Sequence, residues 1–251
     1  MFVLLVLVFA GGFIFFGVGT GNSGLGDIFS EGGFFSGGGA SISSLQKKVA
    51  ENPGDADAHR KLASAFRTKE RHEEAIAPLE RYTQLRPKDA GALQELAGLY
   101  LERARTYYDE LSVINYQLAS VPGGGFLVPP SSFLAKELQK DPFYKAISTD
   151  LSQRQAEVAG KFNAALASRA NAYRRAVAAL PADDTSLPGT VFAWARAAED
   201  AQDFPTALKA YQRYLKLAPD SGLAGDARSA IKRIQAYLKA QGSSGAVTSG
   251  G

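Results

Sequence analysis

Few side chains in this 251-residue chain could do chemistry. There are two histidines, His59 and His72, and no cysteine. Disulfides, thiolate nucleophiles and cysteine metal sites are thereby excluded, and with histidine so sparse no zinc or copper site is expected. Some carboxylates come as adjacent pairs, such as Glu73-Glu74 and Asp183-Asp184. Such pairs suit a helix start and a connector, where acids are favoured for helix-dipole reasons. Gly123-Gly124-Gly125 lacks the strand, helix and lysine of a phosphate-binding loop and reads as a turn. No serine–histidine arrangement can be traced. The chain is expected not to be an enzyme and to need no cofactor, metal or small-molecule substrate.

Composition points the same way. With 28 basic against 25 acidic residues the net charge is +3, too small and too evenly mixed for a nucleic-acid partner. Phe2 to Val18 carries no charge and would rise about 26 Å as a helix, near the short end of what spans a bilayer. A retained single-pass anchor over 1–18 is expected. A cleaved signal is the rival, but the run is long and leads into GTGNSG rather than a small-x-small site. Residues 19–40 hold so much glycine that they read as a flexible linker. Ile28-Phe29 and Phe34-Phe35 within it suit the membrane interface or a touch on the folded part. A signal-anchor at the extreme N-terminus most often sends the domain behind it out of the cytoplasm. The soluble part is therefore expected on the extracytoplasmic side.

The elements that position everything else repeat. Asn52 to Tyr100 matches itself when shifted by 34 residues: Pro53 falls on Pro87, Leu62-Ala63 on Leu96-Ala97, and Phe66 on Tyr100. That period is the length of a helix–turn–helix unit that stacks on its copies. In repeat one His59, Leu62, Ala63, Phe66, Ala75, Leu79 and Pro87 fall in turn on the pattern W-x2-L-G-x2-Y…A-x3-F…P. On these residues the chain resembles the tetratricopeptide repeat family, and among its members the membrane-anchored proteins of the bacterial envelope. His59 and Leu79 depart from the aromatic consensus. The resemblance implies an all-α fold: a tetratricopeptide-like α-solenoid of helical hairpins over 41–240, preceded by the transmembrane helix and glycine-rich linker.

Repeat two is interrupted. Its first helix carries Leu93, Leu96, Ala97 and Tyr100, but the matching second helix returns only at Tyr173, Ala176 and Pro181. Ala97 and Tyr173 are 76 positions apart, where Ala63 and Leu79 are 16 apart, so 60 residues are inserted. Few glycines and no prolines interrupt 90–120 and 150–180. The insert, 101–160, is therefore expected to lengthen both helices to about 30 residues, or ~45 Å each, as one elongated hairpin with its tip at 121–149. Ser132 can cap a short helix through Gln139, and Asp141-Pro142 has the form of another helix start. Repeat three carries Trp194-Ala195, Ala207, Tyr211 and Pro219. A last helix with Leu223, Ala227, Ile231, Ile234 and Leu238 on one face caps the stack. Residues 241–251 read as a disordered tail.

In the family, first helices line a concave groove that holds peptides or proteins. Carried over by repeat offset, that groove is Arg60, Ser64 and Arg67, then Gln94 and Leu101, then Phe192, Arg196 and Glu199. At the hairpin tip Phe126, Phe133, Phe143 and Tyr144 either fold back as a satellite core or dock a partner. The expected function is a membrane-tethered protein–protein interaction scaffold. Two alternatives stand beside it: a structural or assembly-chaperone protein that oligomerises through the long hairpin, and a non-catalytic accessory subunit of an envelope enzyme.

Overall fold

The computed structural model describes residues 41–120, 131–138 and 140–247, with side chains as far as Gln241. The expected anchor and linker, Phe126 with the rest of 121–130, and 248–251 lie outside the described residues. Among the described residues every regular element is a helix. None of these helices is long and apolar enough to cross a membrane.

Local sequence starts each helix. Ser41 caps α1 (Ile42–Glu51), its Oγ accepting the Ser44 N–H at 3.2 Å. Asp55 caps α2 (Ala56–Thr68) by accepting the Ala58 N–H at 2.9 Å. α3 (His72–Leu85) opens on Glu73 and Glu74, acids at the positive end of the helix dipole. Asp89 starts α4 (Ala90–Ser120) with two acceptors, Oδ1 for the Ala92 N–H and Oδ2 for the Tyr82 hydroxyl at 2.6 Å. Burial alone would raise the Asp89 carboxyl, but these bonds outweigh it and hold it below its ordinary value.

Ser132 caps the short α5 (Phe133–Leu138). α6 (Pro142–Ala179) starts at Asp141, which accepts the Phe143 N–H at 2.8 Å, with Pro142 in the first turn. α6 is thus 38 residues long rather than about 30, and the connector ends at Asp141 rather than at residue 149. The cap-then-proline pair opens the long helix itself, because nothing between Phe143 and Gly160 breaks it. α7 (Leu187–Asp200), α8 (Phe204–Leu217) and α9 (Ala224–Val247) complete the chain, and α9 continues past the expected end at Ala240.

Each helix packs chiefly on its neighbours in the chain, with α4 lying along α6 and α5 between them in sequence. Residues expected in the core are there: Ala63, Ala75, Leu79, Leu93, Ala97, Ala195 and Ala207 have no exposed surface. One cluster joins α1 to α4 and takes Ala172 from α6. A second joins the end of α6 to α7, α8 and α9. On α9 the buried face is Ala224, Ala227, Ala230 and Ile234, whereas Leu223 and Leu238 are exposed. Ala227 and Ile234 of the expected face are buried and Ile231 packs against the core, while Ala224 and Ala230 join them at close approach.

Two turns are built alike. Glu70, after α2, and Gln202, after α7, both have φ of 59°. In each, the next residue's N–H reaches five positions back, Arg71 to the Phe66 carbonyl and Asp203 to the Ala198 carbonyl, both at 2.9 Å. This is the left-handed helix stop that reverses a chain into the following helix.

Candidate protein-binding surfaces

The groove positions on α2 and α4 turn out to be paired with each other. Arg60 Nη2 lies 2.6 Å from Glu95 Oε2, and Arg67 Nη1 lies 2.5 Å from Glu95 Oε1. Arg60 also stacks its guanidinium on the Tyr82 ring, 5.4 Å from the centroid. Glu95 was not among the expected site residues. Its carboxylate, mostly covered, neutralises one of the two arginines and holds both in place, so neither is a free anion receptor.

The same holds further along. Gln94 Nε2 donates to Thr190 Oγ1 at 2.9 Å, tying α4 to α7, and Thr190 in turn donates to the Ser186 carbonyl. Phe192 packs its ring on Tyr211 and Tyr214, with centroids 5.8 and 4.9 Å away. Glu199 accepts from the Tyr211 hydroxyl at 2.6 Å and from Arg233 Nη2 at 3.0 Å. Burial and that carboxylate together push the Tyr211 phenol well up. Ser64 and Arg196 are exposed, and Leu101 is partly buried. Five of the eight groove residues are therefore engaged inside the fold. Partners such as Glu95 and Thr190 could have been suspected from complementary residues on adjacent first helices, but only the packed geometry decides which side chains reach.

The hairpin of α4 and α6 presents a different surface. It leaves the stack at the level of Arg103, which holds Glu73 of α3 through two contacts of 2.9 and 2.7 Å. On that side a charged cleft of about 600 Å³ is lined by residues such as Glu70, Arg71, Glu74 and Asp109. Its walls are tied by ion pairs, Arg71–Glu74 and Arg105–Glu102 besides Arg103–Glu73. Next to it, sharing Arg105 and Asp109, lies a cleft of about 500 Å³ with apolar walls, Leu101, Ala104, Tyr108, Phe162 and Leu166, and with Asp200 also on its rim. Ala104 and Leu166 are buried and form its floor, while Tyr108 is 61% exposed and leans on Phe162 at 6.3 Å.

Further out, Ile114 and Val158 are the side chains buried between the two helices among the described residues. Polar side chains do the rest: Arg154 donates to Glu110 at 2.9 Å and Gln155 to Asn115 at 2.6 Å. At the end of the hairpin Phe133 and Phe143 are 79% and 68% exposed. Tyr144 is partly covered and meets Phe143 edge-on at 5.9 Å. Phe133 and Phe143 therefore do not form a satellite core.

Among the described residues no arrangement for catalysis emerges. His59 is buried, its Nε2 3.2 Å from the Pro53 carbonyl, while His72 is exposed at the start of α3. Nor do those residues include a group of three or more His, Cys, Asp or Glu that could hold a metal ion. No protein-family model matches this chain, and no curated protein matches its sequence.

Proposed function

We propose that this chain is a membrane-tethered protein-interaction scaffold built from tetratricopeptide-like helical hairpins, held by residues 2–18 with its folded part outside the cytoplasm. Its partner site is the apolar cleft where the hairpin leaves the stack. One observation carries this. Four of the groove's polar side chains, Arg60, Arg67, Gln94 and Glu199, are spent on internal pairs, whereas Leu101, Tyr108 and Phe162 line an open apolar cleft. The repeat reading draws support from the 34-residue self-match, from the fully buried Ala63, Ala97 and Ala195 at equivalent places, and from the matching turns at Glu70 and Gln202.

The occupant that fits is a partner segment with an apolar side chain for the cleft and a basic residue beside it, facing Asp109 and Asp200 on the rim. Asp200 already accepts from Arg169 at 2.6 Å, so Asp109 is the freer acid. The test is photo-crosslinking in native membranes from a reactive residue placed at Tyr108, with Leu101→Asp as the disrupting variant. A crosslink to a defined apolar segment that Leu101→Asp abolishes supports the site. Crosslinks from Ser64 and Arg196 that persist in Leu101→Asp would move the site to the groove.

A second reading, self-association through the hairpin, is favoured by the exposure of Tyr108, Val113 and Tyr116. A monomeric size for detergent-extracted protein at micromolar concentration would remove it.

A further inference from the structure

The hairpin and the start of the folded part share one edge of the stack. α1 and α2 are joined by the short turn Asn52–Asp55 and pack on one another, so they run antiparallel and Ser41 lies beside the C-terminal end of α2. That end leads into α3, whose Glu73 meets Arg103 of α4. Asp200, at the end of α7, lines the cleft with Tyr108 and Phe162. Ser41, the turn before α3 and the end of α7 therefore lie along one edge of the stack, and the hairpin projects from that same edge. From Arg103 to Ser120 the helix runs on for roughly 26 Å at 1.5 Å per residue. The 22 residues between Val18 and Ser41 can span at most about 75 Å, so a membrane holding residues 2–18 lies within reach of the hairpin's outer end.

That outer end has the chemistry of a membrane interface. Phe133, Leu134 and Phe143 are exposed at 79%, 56% and 68%, more apolar surface than an isolated helical projection ordinarily leaves in water. Lys136, Lys140 and Lys145 stand among them. Glu137 is paired with Lys140 at 2.6 Å, and Lys136, Lys140 and Lys145 outnumber Glu137 and Asp141, so the charge beside the aromatics is net positive. Apolar side chains set among lysines sink into the headgroup layer while the ammonium groups meet anionic lipid.

Resting on the tether reading above, we propose that the outer end of the α4–α6 hairpin docks on the membrane that holds the N-terminus. Phe133, Leu134 and Phe143 enter the interface, and Lys136 and Lys145 face anionic headgroups. The hairpin then acts as a strut that fixes the stack's distance and tilt above the bilayer, and the apolar cleft at its base faces a partner at a set height.

Because the chain has no cysteine, Phe133→Cys, Phe143→Cys and, as a control on exposed α8, Lys209→Cys each give one labelling site in the full-length chain. Each is labelled with an environment-sensitive fluorophore and reconstituted into vesicles of phosphatidylcholine with phosphatidylglycerol. Flotation reports the tether independently. The expected result is that the protein floats and that the probes at 133 and 143 shift to the blue and are quenched by lipid-borne nitroxide, while the probe at 209 does neither. Quenching should weaken when Lys136→Glu and Lys145→Glu are added. Floating protein with tip probes as wet as the control overturns the strut and leaves the tether standing. A blue shift without lipid quenching also overturns it, in favour of a protein contact. Protein that does not float removes tether and strut together.

Discussion

Glu70 and Gln202, 132 positions apart, hold the same left-handed backbone with φ of 59° at the end of the first helix of their hairpins. Glutamate and glutamine both carry a Cβ that crowds the following carbonyl in this conformation, at a cost of about 1–2 kcal/mol that glycine avoids. Glu70→Gly or Gln202→Gly should therefore stabilise the fold by about 0.5–1 kcal/mol, read as a higher urea midpoint. A lower midpoint would mean that the turn is not held as described.

Ala63, Ala97 and Ala195 lie where neighbouring helices touch, with no exposed surface. Ala63→Leu or Ala97→Leu should cost about 1–3 kcal/mol by overpacking, seen as a fall in melting temperature that Lys209→Leu on the exposed face of α8 does not cause.

Glu95 sits between Arg60 and Arg67. Glu95→Gln leaves two guanidinium groups facing one another without their shared anion. Both arginines are more than a third exposed, so screening keeps the loss to about 1 kcal/mol at low ionic strength. The loss should shrink as salt is added. If salt leaves the difference between variant and parent unchanged, the interaction is packing and not charge.

Burial, reinforced by the Glu80 hydrogen bond, raises the Tyr100 phenol, and burial with Glu199 does the same for Tyr211. The folded chain keeps these protons above the ordinary value of 10.0, while the unfolded chain gives them up. Their contribution is thus fully present below about pH 10 and is lost as pH rises further. Urea midpoints should fall on going above about pH 10, and Tyr100→Phe with Tyr211→Phe should flatten that slope. An unchanged slope in the double variant would contradict the assignment.

Much of the fold was legible because it rests on local rules. Ser132 and Asp141 cap helices as their positions suggest, and the repeat spacing picks out Ala63, Ala75, Ala97 and Ala207 as close contacts. The surface was less legible. Repeat offset places Arg60, Arg67 and Gln94 on a groove face, but their partners Glu95 and Thr190 are on other helices. Which long side chains reach across is a matter of ångströms that spacing does not contain. On α9 the expected face holds at Ala227, Ile231 and Ile234, but Leu223 and Leu238 are exposed, and Ala224 and Ala230, which carry little hydrophobic signal, are buried with it.

On the proposed function the stack holds the fold, while the hairpin and its base meet the partner and the membrane. Gln155 donates to Asn115 at 2.6 Å, so the two helices stand level at these residues. Deleting residues 116–154 and joining Asn115 to Gln155 by a short Gly-Ser turn removes the outer hairpin. It keeps Ile114, Val158 and the Tyr108–Phe162 cleft. The shortened protein should stay helical, unfold cooperatively with a midpoint near the parent's, and still crosslink its partner from position 108. A folded deletion protein that no longer crosslinks from 108, or one that unfolds, would contradict the account.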